Sequence, residues 1–272
     1  MTGRNSYTVN PGWRLILVQL GLNPSDVLRR ADLPADLFGR EKAALSTEEY
    51  FRMWRGIEEE SKDALTPLRI GSNIPVEAFD PPIFAALCSQ DLNQALQRLA
   101  HYKRLICPMA LRVDIQKKTT RLGLEWLDTD VQPPAAPVAA ELVFFVQLAR
   151  IATRTRIFPS EVVAPHPPEP GDEYREYFGV TVRRGERPGI SFKAEDAARP
   201  FLTANEGMWQ FFEPELRKRL SEIEQSATIA QRTRGALLEL LPGGRASVEA
   251  VAQKLGTSTR TLQRKLKLIF YS

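Results

Sequence analysis

Covalent and metal chemistry have little material in this chain, which carries two cysteines and two histidines in 272 residues. Cys88 and Cys107 each sit in an apolar helical context, which predicts buried free thiols in a reducing compartment and argues against a disulfide framework. His101, in "AHYKR", reads as a surface or packing residue. His166, in the loop "APHPPEP", reads as an unspecialised loop residue, with lining of a ligand pocket as the alternative. Neither has a metal-ligand or nucleophile-orienting pattern around it. A phosphate loop and a dinucleotide fingerprint are also missing. The expectation is a protein that is not an enzyme and that uses no cofactor and no metal.

Other absences bear on location. The opening "MTGRNSYTVNPGW" lacks a basic segment followed by an apolar one, and no uninterrupted apolar run is long enough to span a bilayer. Export and membrane insertion are disfavoured, and the bacterial cytoplasm is the expected compartment. A net charge of +4 with an isoelectric point near 9.1 permits an anionic partner but is too mild to identify one.

What is present is a core. At 43% hydrophobic content the chain can bury a sizeable interior, and its length suggests two domains. The first third reads as a helical bundle. "GWRLILVQLGL" spaces Trp13, Ile16, Leu17 and Leu20 helically before Gly21 stops it, and Asn23-Pro24-Ser25 opens the next helix. "STEEYFRMWRGIEEE" offers Ser46 or Thr47 as N-cap and places Tyr50, Met53, Trp54 and Ile57 on one face. Its carboxylates Glu58 to Glu60 read as a solvated face, because a general acid and base pair needs convergence on a pocket. Leu92, Leu96, Leu99 and Ile106 give another amphipathic helix.

The period changes at Leu111. Leu111, Val113 and Ile115 alternate inward, a polar turn follows at Lys117 to Thr120, and Leu122, Leu124 and Trp126 alternate again, which predicts a β-hairpin. "QPPAAP" precedes a long helix, "VAAELVFFVQLARIATRTR", apolar almost all round in its first half and so expected to be buried. A short strand, a short helix at "DEYREYFG" and two strands in "VTVRRGERPGISFKA" follow. Recurring hairpins without crossover helices favour an antiparallel α+β domain over parallel βαβ units. "FLTANEGMWQFFEPELRKRLSEIEQ" is then a helix capped by Thr203 or Asn205, kinked or restarted at Pro214. Its stripe of Trp209, Phe212, Leu216, Leu220 and Ile223 suits packing within the chain or against a second copy. A domain boundary is expected at "SATIAQ", giving domains 1–225 and 226–272.

The last segment predicts three helices. Residues 229–241 form one, ended by "PGG"; Ser247 caps a second with Val248, Val251, Ala252 and Leu255 inward; Gly256 closes it, and Ser258 caps a third. In this third helix Leu262 and Leu266 face the core, while Arg260, Gln263, Arg264 and Lys267 share the opposite face. Arg can donate as a fork to guanine, Gln can pair with adenine, and Lys can meet phosphate. A solvated basic face is the alternative, but the preceding helix, the small Ala252, the glycine turn and the cap point to a helix-turn-helix.

"ASVEAVAQKLGTSTRTLQRKLK" resembles the first helix-turn-helix of AraC/XylS-type bacterial transcription regulators, in the branch with an arabinose-binding-type N-terminal domain. "LGLNPSDVLRRADLPADLF", "LSTEEYFRMWRGIEEES", "VVAPHPPEPGDEYREYFGVTV" and "ISFKAEDAARPFLTANEGM" are similar to stretches of the same branch, in order, over nearly the whole chain. The resemblance implies an N-terminal domain that binds a small effector and supports homodimerisation, and a C-terminal domain that binds promoter DNA. It assigns Arg260, Gln263 and Arg264 to bases, with the effector and its contacts undetermined; Ser258 and Lys267 are the expected phosphate contacts. The family pattern continues into a linker helix and a second helix-turn-helix, where here "LIFYS" intervenes. A truncation, a frameshift or a shortened chain would each give that ending. The expectation is weakened DNA binding, the rival being an effector-binding or interaction protein that binds no DNA of its own.

Overall fold

The computed structural model describes residues 7–40, 43–127, 131–240 and 247–270. The described residues up to 216 form one compact unit and those from 217 on a second. The larger unit opens with β1 (Tyr7–Thr8), α1 (Gly12–Gln19), α2 (Pro24–Arg30), β2 (Ala44–Leu45), α3 (Thr47–Ser61), α4 (Thr66–Ser72), α5 (Pro81–Leu87) and α6 (Leu92–Tyr102). It continues with β3 (Met109–Ile115), β4 (Thr119–Trp126), α7 (Ala135–Thr153), β5 (Glu161–Ala164), α8 (Gly171–Phe178), β6 (Val182–Arg184), β7 (Gly189–Lys193) and α9 (Ala194–Ala197). α10 (Glu206–Leu240), α11 (Val248–Lys254) and α12 (Thr259–Phe270) complete the described chain. The fold is α+β.

Local chemistry sets the helix ends. Ser46, not Thr47, caps α3 in a reciprocal capping box with Glu49, and Thr47 donates its hydroxyl to the Leu127 carbonyl. Asn23 and Asp91 cap α2 and α6 through their side-chain oxygens. Gly21 stops α1 with φ +74°, a conformation that costs other residues more. Tyr50, Phe51, Met53, Trp54 and Ile57 of α3 are all buried, whereas Glu58 and Glu59 are exposed. Gly56 allows α3 to lie on α2, since a Cβ there would come within 2.6 Å of the Val27 carbonyl oxygen.

The expected hairpin is β3 and β4, antiparallel, with Leu111 opposite Leu124 and Val113 opposite Leu122. Its inward alternation fades toward the turn: Leu111 is buried, Val113 half-buried and Ile115 exposed, because the tip reaches beyond the core. The five-stranded sheet runs β3-β4-β7-β5-β6. All its pairs are antiparallel except β5 with β6, which are parallel. β5, α8 and β6 therefore make one βαβ unit, which corrects the expectation that crossover helices are missing. β6 and β7 are not neighbours, since β5 lies between them. The reason is reach: α8, closed by Gly179 in the left-handed conformation, carries the chain back to start β6 parallel to β5.

α7 has fourteen buried residues and binds bundle to sheet within one continuous core. By length and composition it could cross a bilayer, but its apolar surface is already covered by this protein. α10 begins in the same unit, capped by Asn205, while Thr203 donates to the Leu87 carbonyl. Trp209 lies under the Arg98 guanidinium at 3.8 Å, and the Phe212 ring stacks on Phe84 with centroids 6.3 Å apart.

α10 runs unbroken past Pro214 and through Ser226. The separate helix expected from residue 229 is its C-terminal part, because "SATIAQ" contains no glycine or proline to end a helix. The expected boundary at 225/226 falls inside it, and the two units divide at 216/217. The expected end at 241–244 lies outside the described residues. In the second unit Ala236, Val251, Ala252 and Leu262 make a small separate core, flanked by Ile229, Leu237, Leu240, Leu255 and Leu266.

Candidate functional site

Two places have the chemistry of a site, one in each unit. In the second, Ser247 caps α11 by accepting from the Ala250 amide at 3.1 Å, and Gly256 turns the chain with φ +64°. Ser258 then caps α12, accepting from the Thr261 amide at 3.1 Å and donating to the Thr261 hydroxyl at 2.8 Å. Val251, Ala252 and Leu262 close the contact between the two helices. Val248, expected inward, is exposed, since as the first residue of α11 it precedes the packed face.

Once Leu262 is fixed inward, helical geometry determines the other face. Arg260, Gln263, Arg264 and Lys267 are all exposed, as is Ser258. The structure brings the four long polar side chains to one solvated stripe, as their spacing predicts. Ser258 is different, because its hydroxyl proton is already engaged within the cap.

The larger unit holds a cavity of about 80 Å³, room for roughly half a dozen waters. Its walls come from Trp13 and Ile16 of α1, Tyr50 and Trp54 of α3, Ile70 and Gly71 of α4, Asp80 and Ile83 at α5, Lys103 and Ile106 after α6, and Ala140, Glu141 and Phe144 of α7. The Trp13 and Trp54 rings meet edge to face at 87° with centroids 5.5 Å apart. Gly71 lets α4 approach α7 so closely that a Cβ would lie 2.5 Å from the Ala140 carbonyl oxygen.

One end of this apolar space is charged. The Lys103 ammonium, 3% exposed, donates to both carboxylate oxygens of Glu141 at 2.8 and 2.7 Å. Burial alone would lower the lysine, but the negative charge around it, Glu141 hydrogen-bonded to it and Asp80 nearby, outweighs that and holds the ammonium above its ordinary range. Burial drives the Cys107 thiol well up, with Lys103 offsetting only part of the effect, so the thiol stays neutral and its Sγ sits 3.8 Å from Glu141 Oε1. Burial likewise raises Tyr50, an effect that the nearby Trp54 opposes only weakly. Trp54 Nε1 is buried beside the Tyr50 hydroxyl.

The cavity was not legible in advance. Lys103, Glu141 and Asp80 lie on different elements, and the one available signal was a lysine and a glutamate in otherwise apolar surroundings. Both cysteines are free, Cys107 buried and Cys88 half-buried. His101 is exposed against Tyr102, and His166 is exposed beside Gln132, outside the cavity walls. Among the described residues no group of histidine, cysteine and carboxylate side chains is arranged to hold a metal.

Residues 21–201 match the family model for the arabinose-binding N-terminal domain of AraC transcription regulators. The HTH-type transcriptional regulator VirS of Mycobacterium tuberculosis, in strains CDC 1551 and H37Rv, is 26% identical, over 94% of this chain and 76% of the relative. Among solved structures, the transcriptional regulator CdpR of Pseudomonas aeruginosa matches with a TM-score of 0.55 at 18% identity, over 94% of this chain and 77% of that one. That structural likeness concerns the fold.

Proposed function

The chain belongs to the AraC transcription regulators with an arabinose-binding N-terminal domain, and from this we propose that it binds promoter DNA and responds to a small effector through its larger unit. The observation that carries the DNA-binding half is the exposed stripe of Arg260, Gln263 and Arg264 on a helix seated by Leu262. Arg260 and Arg264 donate to guanine O6 and N7, Gln263 pairs with adenine, and Lys267 meets phosphate. A phosphate contact by Ser258 requires its proton to turn away from Thr261. VirS is named as an HTH-type regulator, which supports the same reading of α11 and α12.

Effector sensing rests on the apolar cavity of the larger unit. Its walls at α5 and Lys103 adjoin Phe84 and Tyr102, which in turn pack against Phe212 and Trp209 at the root of α10. A protein of this kind works in the bacterial cytoplasm as a homodimer and performs no catalysis. Pairing of two copies raises the affinity for DNA through effective concentration, since each copy brings its own α12 to a neighbouring half-site.

Electrophoretic titration against promoter fragments at several salt concentrations tests this. Arg260→Ala and Arg264→Ala are each expected to lose about 1–3 kcal/mol of discrimination. Lys267→Ala should weaken all sequences alike and lower the salt slope by about 1. Unchanged retention in the double arginine variant would refute the reading role.

A further inference from the structure

The charged, amide and hydroxyl groups in the walls of the cavity are already engaged within the protein. Lys103 donates to both carboxylate oxygens of Glu141. The Asn10 amide donates to the Ala78 carbonyl at 3.2 Å, and its oxygen accepts from the Gly12 amide at 2.7 Å. The Tyr50 hydroxyl meets the Trp54 indole, and Asp80 has an interaction of its own. The rest of the wall is mainly the rings of Trp13, Trp54 and Phe144 and five isoleucines.

Such walls select by what they withhold. A carboxylate entering here would have to draw Lys103 away from Glu141, and an ammonium would have to draw Glu141 away from Lys103. Either exchange leaves a buried charge without its partner. A sugar carries hydroxyls all round, and each one desolvated without a new hydrogen bond is penalised. A neutral apolar molecule disturbs none of these pairs and gains the contact of the rings and isoleucines. Volume sets the size, since about 80 Å³ holds about half a dozen non-hydrogen atoms.

We propose that this cavity binds a small, neutral, predominantly apolar molecule, a short chain or compact ring with at most one ether or carbonyl oxygen. The inference rests on the reading of the larger unit as the effector-binding unit and adds the chemical class of the effector. The ligand lies against Ile70, Ile83 and Phe144 while the pair of Lys103 and Glu141 stays closed.

Calorimetric titration and thermal shift of the full chain, using probes of equal heavy-atom count, decide the matter. The probes are butyl methyl ether, n-pentylamine, butyrate and glycerol. The ether is expected to bind and raise the melting temperature, with the amine, the carboxylate and the triol weaker by about ten-fold or more. Ala140→Leu, which grows a side chain into the space from α7, should lower ether affinity by about ten-fold or more. Should Ala140→Leu fail to fold, Ile83→Phe fills the space from α5 and is expected to have the same effect. Amine, butyrate or glycerol binding as tightly as the ether, with the same sensitivity to Ala140→Leu, would overturn the apolar class and leave the cavity as the effector site. Ether affinity unchanged by the filling variants, or binding of no probe, would overturn the proposal together with the cavity as effector site. None of these measurements uses DNA, so the DNA-binding reading stands or falls on its own titration.

Discussion

Lys103 and Arg264 are both cations on or beside a helix, yet one is 3% exposed and bound to a carboxylate while the other stands in solvent. The difference separates the two candidate sites. In the cavity, charge is held by burial and a fixed partner, so its chemistry is short-ranged. On α12 the charges are hydrated and screened, which suits a polyanion whose phosphates recur along its length. Burial thus converts the same kind of side chain from an attractor of long polymers into part of a rigid wall.

Removing Lys103 tests the buried side of that contrast most sharply. Lys103→Met leaves the Glu141 carboxylate enclosed without its ammonium and is expected to cost about 3–5 kcal/mol in urea unfolding. The double variant Lys103→Met with Glu141→Gln should recover most of the loss; no recovery would show that packing, not charge, is what Lys103 supplies. Next in size is the small core that seats α12. Leu262→Ala is expected to cost the second unit about 2–4 kcal/mol and abolish DNA retention, while the melting of the larger unit stays put. A downward shift of both transitions would contradict the independence of the two cores.

The gentlest probe is alkaline pH. An unfolded Cys107 thiol ionises above about pH 9 while the buried native thiol does not, so stability falls as pH rises from there. Lys103, raised in the fold, keeps its full contribution below pH 10.5 and loses it as pH climbs through the higher native value. The slope for each group is about 1.4 kcal/mol per pH unit at most. Cys107→Ala should remove the first segment of the fall and leave the second, as read by denaturant titrations across pH 7–11.

The two sites also differ in how far the sequence discloses them. Arg260, Gln263, Arg264 and Lys267 lie on one helix, so the 3.6-residue period together with one inward anchor, Leu262, places them all on the same face. The cavity draws on α1, α3, α4, α5, α7 and the turn after α6, and no local period links Trp13 to Glu141. Periodicity found Tyr50 and Trp54 as buried residues without indicating that they border a space. Strand partners were hidden for a similar reason: β5, α8 and β6 are each short, and only the assembled sheet reveals that β5 separates β6 from β7. The unbroken run of α10 past Pro214 was missed because proline is read as punctuation. There it removes one amide from the ladder, and the exposed Gln210 turn can give its freed carbonyl to water.

Gly71 has a consequence for how the cavity can change. With α4 and α7 touching backbone to backbone at that point, no choice of side chain at residue 71 can narrow the space without first prising two helices apart. Changes in the size of the space therefore fall to Ile70, Ile74, Ile83 and Ala140, whose side chains also line it. In a directed-evolution experiment selecting for a new inducer, position 71 should stay fixed while substitutions accumulate at those four.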